Sequence, residues 1–414
     1  LKNYLLLSFS GDLLCKTIII GSGPAGLFAG ISSAKKGNET IILERNKSAG
    51  KKLLLTGAGQ CNFTHSGDLK TFSEHYGMKY KQAFRILRYF DNKDFLNFLT
   101  ANGFDYYERD DGKYFPKSKK ASDILDLLLK IFRQSGGKIL YNQKVVDLRK
   151  DETSFNVITP EQSFSADKVI MANGGITFPN TGSDGLLYKT LQKLGHQVNE
   201  PRFGLSPIYV DLFTLSELSG ISFKDAGVKI STEGGKSINK RGELLITHRG
   251  FSGPVIIDNS RYMKKGDSLE INFTEFLSYE SFNEAFLNAI NGNGKMIIKS
   301  LLNLFNFPKR LTEKILKEIG INETLKVSQL TKETRKLIMN SLFSYPVRIK
   351  KIGGINESMV TVGGVDLENI VLSTMESKII HGLYFCGEII DMDGDTGGYN
   401  IQMAVTTGYL AGNA

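Results

Sequence analysis

Three stretches of this chain carry residue types whose spacing could do chemistry. The first is TIIIGSGPAGLFAGISSAKKGNETIILE, residues 17–44. Gly21, Gly23 and Gly26 form G-x-G-x-x-G, a backbone suited to gripping the pyrophosphate of a dinucleotide. The first glycine permits a tight turn, the second lets backbone approach phosphate, and the third lets a helix pack on its strand. A helix opening at Pro24 and running through Ala25 offers unpaired N–H groups and partial positive charge to the phosphates. Glu44, eighteen residues beyond Gly26, stands where it can accept hydrogen bonds from both ribose hydroxyls of an adenosine, with Arg45 beside it. A bare glycine motif says little, but flanked by strand, helix, strand and a terminal acid it is specific for a dinucleotide. The pattern does not choose between FAD and NAD.

The second stretch is HGLYFCGEIIDMDGDTGGYNIQMAVTTGYLAG, residues 381–412. A short apolar strand, Leu383–Cys386, runs into Gly387 and Glu388. The pair Gly397-Gly398 then opens a helix of about four turns, with Asn400 and Ile401 in its first turn. Ala404, Gly408 and Gly412 fall at i, i+4 and i+8, a ridge of small residues that allows a neighbour to pack closely. The N-terminus of such a helix would stabilise the negative charge that a reduced flavin carries near N1 and O2. Glu388 would be placed to bind a ribityl hydroxyl.

The third stretch, TGAGQCNFTH at residues 56–65, follows the basic pair Lys51-Lys52. It is too polar and glycine-rich for a helix and too irregular for a strand. Elsewhere the chemistry is sparse. Cys15, Cys61 and Cys386 make neither a disulfide framework nor a metal-ligand spacing, and the five histidines are scattered. No His-Asp, Ser-His or paired-carboxylate constellation marks a catalytic acid or base. Cys61 and Cys386 read as small packable cysteines beside a cofactor rather than as a redox pair. His65 reads as a solvated loop histidine; Tyr399 and Asn62 are the candidates for substrate contact.

The elements that must position these groups need a large core, and 414 residues with 41% hydrophobic and 23% charged content can supply one. No apolar run is long enough to span a bilayer. Residues 1–15 read as a ragged extension, and the protein as cytoplasmic. The net charge of +9 is spread along the chain, with Lys117-Ser118-Lys119-Lys120 its densest cluster, so a lysine-rich surface is the expectation and a nucleic-acid partner is not. Residues 1–195 and 346–414 are expected to form a discontinuous cofactor-binding domain. The interruption favours strands over 196–275, including a pair around Gly234-Gly235, and helices over 276–345 in KMIIKSLLNLF, KRLTEKILKEIG and KETRKLIMNSLF.

Taken together, GSGPAG, GKKLLLTGAGQCNFTH, GKYFPKSKKASDIL, ANGGITFPNTGSDG, THRGFSGPVI, VTVGGVD, TMESK, GLYFCGE and GGYNIQ, in this order, resemble the bacterial FAD-dependent oxidoreductases related to aminoacetone oxidase and 3-dehydro-bile-acid reductase. The resemblance runs along nearly all of the chain. It implies a glutathione-reductase-like α/β Rossmann domain binding FAD non-covalently, interrupted by a small β-barrel and a helical subdomain. It places Gly59, Cys61 and Asn62 near the flavin, with Lys52 in the same wall. Val146 would belong to the strand whose backbone meets adenine, and Ala172 and Gly174 to the turn returning to the nucleotide. This chain has Gln60 where the family commonly has Arg.

The activity so implied is hydride exchange between flavin N5 and a small organic substrate. No second strand–glycine-loop–helix unit is present, so NAD(P)H, if it is the donor, would bind transiently at the flavin. The alternatives are an oxidase of a small amine using oxygen, and a flavin-dependent RNA-modifying or RNA-binding protein.

Overall fold

The computed structural model of the chain describes residues 15–231 and 237–414. The expected extension before Cys15 and the turn at Gly234-Gly235 lie outside the described residues. The chain divides into two units, one of residues through Arg202 together with Val360–Ala414, the other Phe203–Met359.

The first unit is built on a seven-stranded sheet. Lys16–Ile20 lies at its centre, paired in parallel with Glu39–Leu43 on one side and Lys168–Met171 on the other. Lys138–Leu140 extends the sheet beyond the former and Leu383–Phe385 beyond the latter, both in parallel. Two short antiparallel strands, Glu376–Ser377 and Ile370–Val371, complete that edge. The run of β-branched residues 17–20 suits a strand covered on both faces, and Ile18 and Ile19 are fully buried. The helix Pro24–Lys35 is buried over ten consecutive residues, Ala25 to Ala34, because it is packed on several sides rather than on one stripe. The last helix, Tyr399–Asn413, lies along it.

Their contact is set by glycines. A Cβ on Gly408 would come within 2.3 Å of the carbonyl oxygen of Ala25, and one on Gly412 within 2.2 Å of that of Ala29. The expected small-residue ridge is therefore a helix-packing seam. Matching residues rise together, 408 with 25 and 412 with 29, so the two helices are parallel. The helix Ala121–Gln134 supplies a further wall, with Phe132 against Gly30 at a distance a Cβ would reduce to 2.7 Å.

The second unit is a closed six-stranded barrel in the order Ile208–Val210, Gly250–Ser252, Ser237–Ile246, Ser222–Ser231, Ser268–Asn272 and Tyr345–Ile352. It has its own core, which includes Phe251, Phe282 and Leu342. Between the last two barrel strands run the helices Tyr279–Gly292, Ile298–Asn303, Lys309–Glu318 and Lys332–Phe343. Pro308 caps the third of these and Gly320, at φ +72°, follows its end. The sequence divides strands from helices at about 276, but Tyr345–Ile352 is a barrel strand paired to Ile208–Val210 and Ser268–Asn272. Residues 346–352 therefore belong with the insert. Their alternation of buried Val347 and Ile349 with exposed Arg348 and Lys350 is the pattern of a strand with one face on a core.

Candidate functional site

Both ends of the first unit meet at the carboxyl edge of the parallel sheet. Gly21 has φ +103°, a left-handed conformation glycine adopts without strain, and a Cβ there would lie 2.5 Å from the carbonyl oxygen of Ala172. A Cβ on Gly26 would lie 1.9 Å from the carbonyl oxygen of Gly21. Gly23 differs from both: φ is −73° and nothing lies within 4 Å of where its Cβ would be. Two of the three glycines are thus required by the protein's own packing, and the third faces open space.

Gly23 caps the glycine-loop helix with no side-chain hydrogen bond, and Gly398, at φ +97°, caps the terminal helix in the same way. Asp68 and Asp91 cap two other helices of this unit with their side chains, whereas the helices that follow Lys79, Lys120 and Leu187 also lack a side-chain cap. The pairing of Gly408 with Ala25 puts Tyr399 about eight residues, or roughly 12 Å, ahead of Pro24 along a shared direction. Two uncapped N-termini therefore face the same way, staggered by about 12 Å.

At the end nearer the glycine loop, Glu44 is buried. Its carboxylate accepts from Ser22 N at 3.1 Å and Ser22 Oγ at 2.5 Å, and from Asn46 N and Nδ2 at 2.8 Å. Arg45 donates to Asp184 at 2.5 Å and to the carbonyl of Gly182 at 3.2 Å, while Asn46 Nδ2 also reaches the carbonyl of Thr181. The loop 174–184 is thus tied back over residues 44–46. Gly174 sits in it at φ +74°, close to Ser183. Val146 donates its N–H to Ile158, and nearby Gln143 N donates to the carbonyl of Glu44. Buried Asn173 Oδ1 and Ser183 Oγ have no hydrogen-bond partner, an arrangement that suits a polar ligand.

Midway, Gly387 lies between the two helices, near the Cβ atoms of Ala25 and Ala404, and donates its N–H to Thr407 Oγ1 at 2.9 Å. Glu388 follows it into a network. Lys52 Nζ reaches Glu388 Oε2 at 2.7 Å and Thr177 Oγ1 at 2.5 Å; Thr361 donates its N–H and its hydroxyl to Glu388 Oε1 at 2.7 and 2.8 Å. Tyr188 is held protonated far into the alkaline range, by burial first and then by the charges of Glu388 and Asp391.

At the far end, the bare loop is two short turns with Gly57, Ala58, Gly59 and Cys61 all at positive φ. Nothing lies within 4 Å of a Cβ on Gly59. Asn62 Oδ1 is buried without a partner. Thr64 backbone packs on Gly398, where a Cβ would approach to 2.7 Å, and Thr64 Oγ1 donates to Gln402 Oε1. Cys61 is fully buried, and so is Cys386; burial pushes the Cys61 thiol up to about 12 and drives that of Cys386 upward as well. Asn400 spends its side chain on the backbone of Gly394 and Asp395, and Ile401 packs against the core.

His65 and His75 both stack on Tyr399, at centroid distances of 5.1 and 4.1 Å. His65 is a half-buried stacking partner rather than a solvated loop residue. His75 Nδ1 lies 3.0 Å from Asp395 Oδ2, and Tyr76 donates its hydroxyl to the carbonyl of Tyr399 at 2.8 Å. Nothing in the sequence alone singles out His75, Asp395, Thr177 or Thr361. Each sits in unremarkable local context, and 320 residues separate His75 from Asp395. No group of three or more His, Cys, Asp or Glu residues that could hold a metal occurs among the described residues.

The family described as HI0933-like protein Rossmann domain matches residues 15–414. The ribosomal RNA dihydrouridine synthase of Haemophilus influenzae is 31% identical over 402 residues, covering 95% of this chain and 96% of that protein. The 3-dehydro-bile acid delta(4,6)-reductase of Clostridium scindens is 29% identical over 410 residues, 96% of this chain and 98% of that one. Among solved structures, that of 3-ketosteroid-delta4-(5alpha)-dehydrogenase from Rhodococcus jostii in complex with 4-androstene-3,17-dione superposes with a TM-score of 0.52 over 98% of both chains at 14% identity, a likeness of fold.

Proposed function

Since the chain belongs to the HI0933-like Rossmann family and is an FAD-dependent oxidoreductase, we propose that it reduces a carbon–carbon double bond conjugated to a carbonyl. The favoured substrate is a uracil ring within RNA. The names of the Haemophilus and Clostridium relatives support the reaction class. Dihydrouridine arises when the ring double bond of uridine gains two hydrogens, and a bile-acid delta(4,6)-reductase removes double bonds conjugated with the 3-oxo group. One chemistry serves both: a hydride adds to the electron-poor carbon and a proton to its neighbour.

The observation that carries the reading is the pair of uncapped, parallel, staggered helix N-termini. The glycine-loop N-terminus, with Gly21, Gly23, Ala25 and Gly26, is fitted to a pyrophosphate, and Glu44 to the adenosine ribose, with Val146, Ala172, Gly174 and Arg45 around that end. The terminal N-terminus at Gly398 is fitted to the edge of a flavin ring, with Gly59, Cys61, Asn62, Asn400 and Ile401 behind it. Gly387, Glu388 and Lys52 lie between, where a ribityl chain would run. When bound, FAD supplies the hydride from N5, with NAD(P)H as the transient source of the electrons.

The chain's own contribution is orientation and a proton. His75, held by Asp395 and stacked on Tyr399, is the proton donor to the neighbouring carbon, and Tyr399 fixes the plane of its ring. Asn62 Oδ1, which lacks a partner, accepts from an N–H of the ring system brought beside it. The test is anaerobic: holoenzyme bleached with NADH or NADPH is mixed with uridine-containing ribosomal RNA or with a 3-oxo-4,6-diene steroid. Recovery of flavin colour with dihydrouridine in the RNA is the expected result. Failure of both nicotinamides to bleach, or reoxidation by neither acceptor, refutes the reductase reading; reoxidation by the steroid alone replaces RNA with a lipid substrate.

A further inference from the structure

A second feature of the first unit lies outside the cofactor site. The segment 78–89, MKYKQAFRILRY, contains the helix Tyr80–Leu87. Its inner face is ordinary core: Ala83, Ile86 and Leu87 are fully buried. Its outer face carries Tyr80 and Phe84 in one row and Lys81 and Arg85 in the next, Arg88 and Tyr89 follow directly after its last residue, and all six side chains are exposed. Tyr80, Phe84 and Tyr89, at 43%, 40% and 44%, are the only aromatic side chains among the exposed large hydrophobic residues described. Cations sit over two of the rings, Lys81 over Tyr80 at 5.8 Å and Arg88 over Tyr89 at 5.3 Å.

Beside this helix, the segment 367–378, which holds the two short antiparallel edge strands, forms the opposite bank of a cavity of about 330 Å³. Arg85, Arg88, Lys378 and Tyr89 line it, with Glu368 as the one acid. None of the three cations lies within salt-bridge distance of a carboxylate among the described residues, whereas Arg45, Arg109 and Arg241 are each paired. The groove is tied to the cofactor site. Tyr76, just before it, bonds the backbone of Tyr399, and Lys79 pairs with Asp391 and donates to its carbonyl at 2.7 Å. From Tyr80 to Arg88 the helix then leads about 12 Å away.

We propose that this groove is a docking site for single-stranded RNA, gripping phosphates through Arg85, Arg88 and Lys378 and stacking a base on Tyr89, with exposed Phe84 on the helix face outside the cavity offering a further ring. A cationic groove with an aromatic ring in its wall and further exposed rings beside it combines the features with which proteins hold single-stranded nucleic acid independently of sequence. An anionic membrane would be met instead by a continuous apolar face, and this helix turns its aliphatic residues inward. The inference rests on the reading of the substrate as RNA and adds where the strand runs once a uracil has entered the site.

The experiment is fluorescence anisotropy of a labelled 12-nucleotide uridine-rich RNA with holoenzyme, from 50 to 200 mM salt. Variants are R85A/R88A/K378A and Tyr89→Ala, each checked for full flavin content. Wild-type affinity should fall with salt. The triple variant should flatten the log–log salt slope by about 2, at roughly 0.7 per lost phosphate contact. Tyr89→Ala should weaken binding about tenfold or more. Unchanged affinity and slope in the triple variant, with RNA still bound and reduced, overturns the groove and leaves the substrate reading intact. No binding by wild type at 50 mM salt overturns both. Groove-dependent capture by phosphatidylglycerol vesicles with no RNA binding replaces the partner with a lipid surface and overturns the inference.

Discussion

The glycine loop permits a separation of fold from cofactor at single-atom resolution. Gly26 and Gly23 are three residues apart, yet an added methyl meets opposite surroundings. At Gly26 it would lie 1.9 Å from the carbonyl oxygen of Gly21, where ordinary contact begins at 3.4 Å, and the obstacle is backbone. Overpacking of that kind costs about 1–3 kcal/mol and leaves a destabilised protein whether or not flavin is present. At Gly23 the backbone is extended and the methyl meets nothing, so Gly23→Val should change the stability of the flavin-free protein by no more than about 1 kcal/mol, the worth of a helix cap. On the proposed placement of the pyrophosphate, its branched side chain would stand where phosphate approaches. Losing two N–H bonds to a charged group, at about 1.5–3 kcal/mol each, weakens FAD binding by about a hundredfold or more. With FAD at a hundred times the wild-type Kd, the ligand stabilises wild type by about 2.7 kcal/mol and the variant by about 0.4. Thermal unfolding of stripped protein with and without FAD, beside a titration followed by visible absorbance, reads both quantities. Full flavin retention by Gly23→Val would refute the placement of the pyrophosphate. A stripped Gly23→Val as unstable as Gly26→Ala would refute the claim that this glycine is not needed by the fold.

Other expectations follow from the remaining parts of the site. His75→Asn should leave bleaching by NAD(P)H intact and slow product formation about a hundredfold, the usual worth of a general acid; equal turnover would remove His75 from the proton path. Lys52→Met leaves Glu388 bonded to Thr361 and Thr177, and the pair is partly exposed, so urea unfolding of the stripped protein should show a loss of about 1 kcal/mol or less. A loss above about 3 kcal/mol would mark the pair as a buried structural bridge instead. The Cys61 thiol is raised from 9.0 to about 12 by burial, so above pH 9 the unfolded chain sheds a proton that the folded chain keeps. Stability should then fall by about 1.4 kcal/mol per pH unit between 9 and 12 for this group. Comparing wild type with Cys61→Ala at pH 9 and 10 isolates it, and parallel losses in the two proteins would show that the thiol does not titrate late.

What the sequence disclosed was local in origin. The β-branched strand, the three glycines and the acid at Glu44 lie within one run of 28 residues, each dictated by a steric or electrostatic need that acts over a turn or two. The i, i+4, i+8 ridge at Ala404, Gly408 and Gly412 implies close packing on a neighbouring element, without saying that the element is the helix Pro24–Lys35. Patterning gives strands over 196–275 and the family resemblance implies that they close into a barrel, but the last barrel strand escapes both, because Tyr345–Ile352 pairs with a strand more than 130 residues earlier in the chain. His75 with Asp395, Lys52 with Glu388, and Thr361 with Ile176 are likewise products of the fold alone. Charge illustrates the same limit. The densest basic run in the sequence, 117–120, is not where cations gather about a groove; Lys378 joins Arg85 and Arg88 across nearly 300 residues.

Register between the two buried helices is where packing becomes function. Glycine at 408 and 412 lets the helices approach only where the carbonyl oxygens of Ala25 and Ala29 would otherwise strike a side chain. That contact fixes not merely that the helices touch but how far one projects past the other. A slip of one turn would move the N-terminus at Gly398 by roughly 6 Å relative to the glycine loop. The positive end proposed to meet a flavin edge would then fall a turn short of, or beyond, the position that a pyrophosphate at Gly23 would set. A ribityl chain is of fixed length and cannot follow. The small residues in the terminal helix therefore act as a ruler: they set the spacing of two anion-seeking helix ends, although neither glycine lies at the helix end that would meet the cofactor. On this reasoning Gly408→Ala, which pushes the seam apart against backbone at 2.3 Å, should weaken FAD binding along with stability, whereas Gly23→Val should affect binding almost alone.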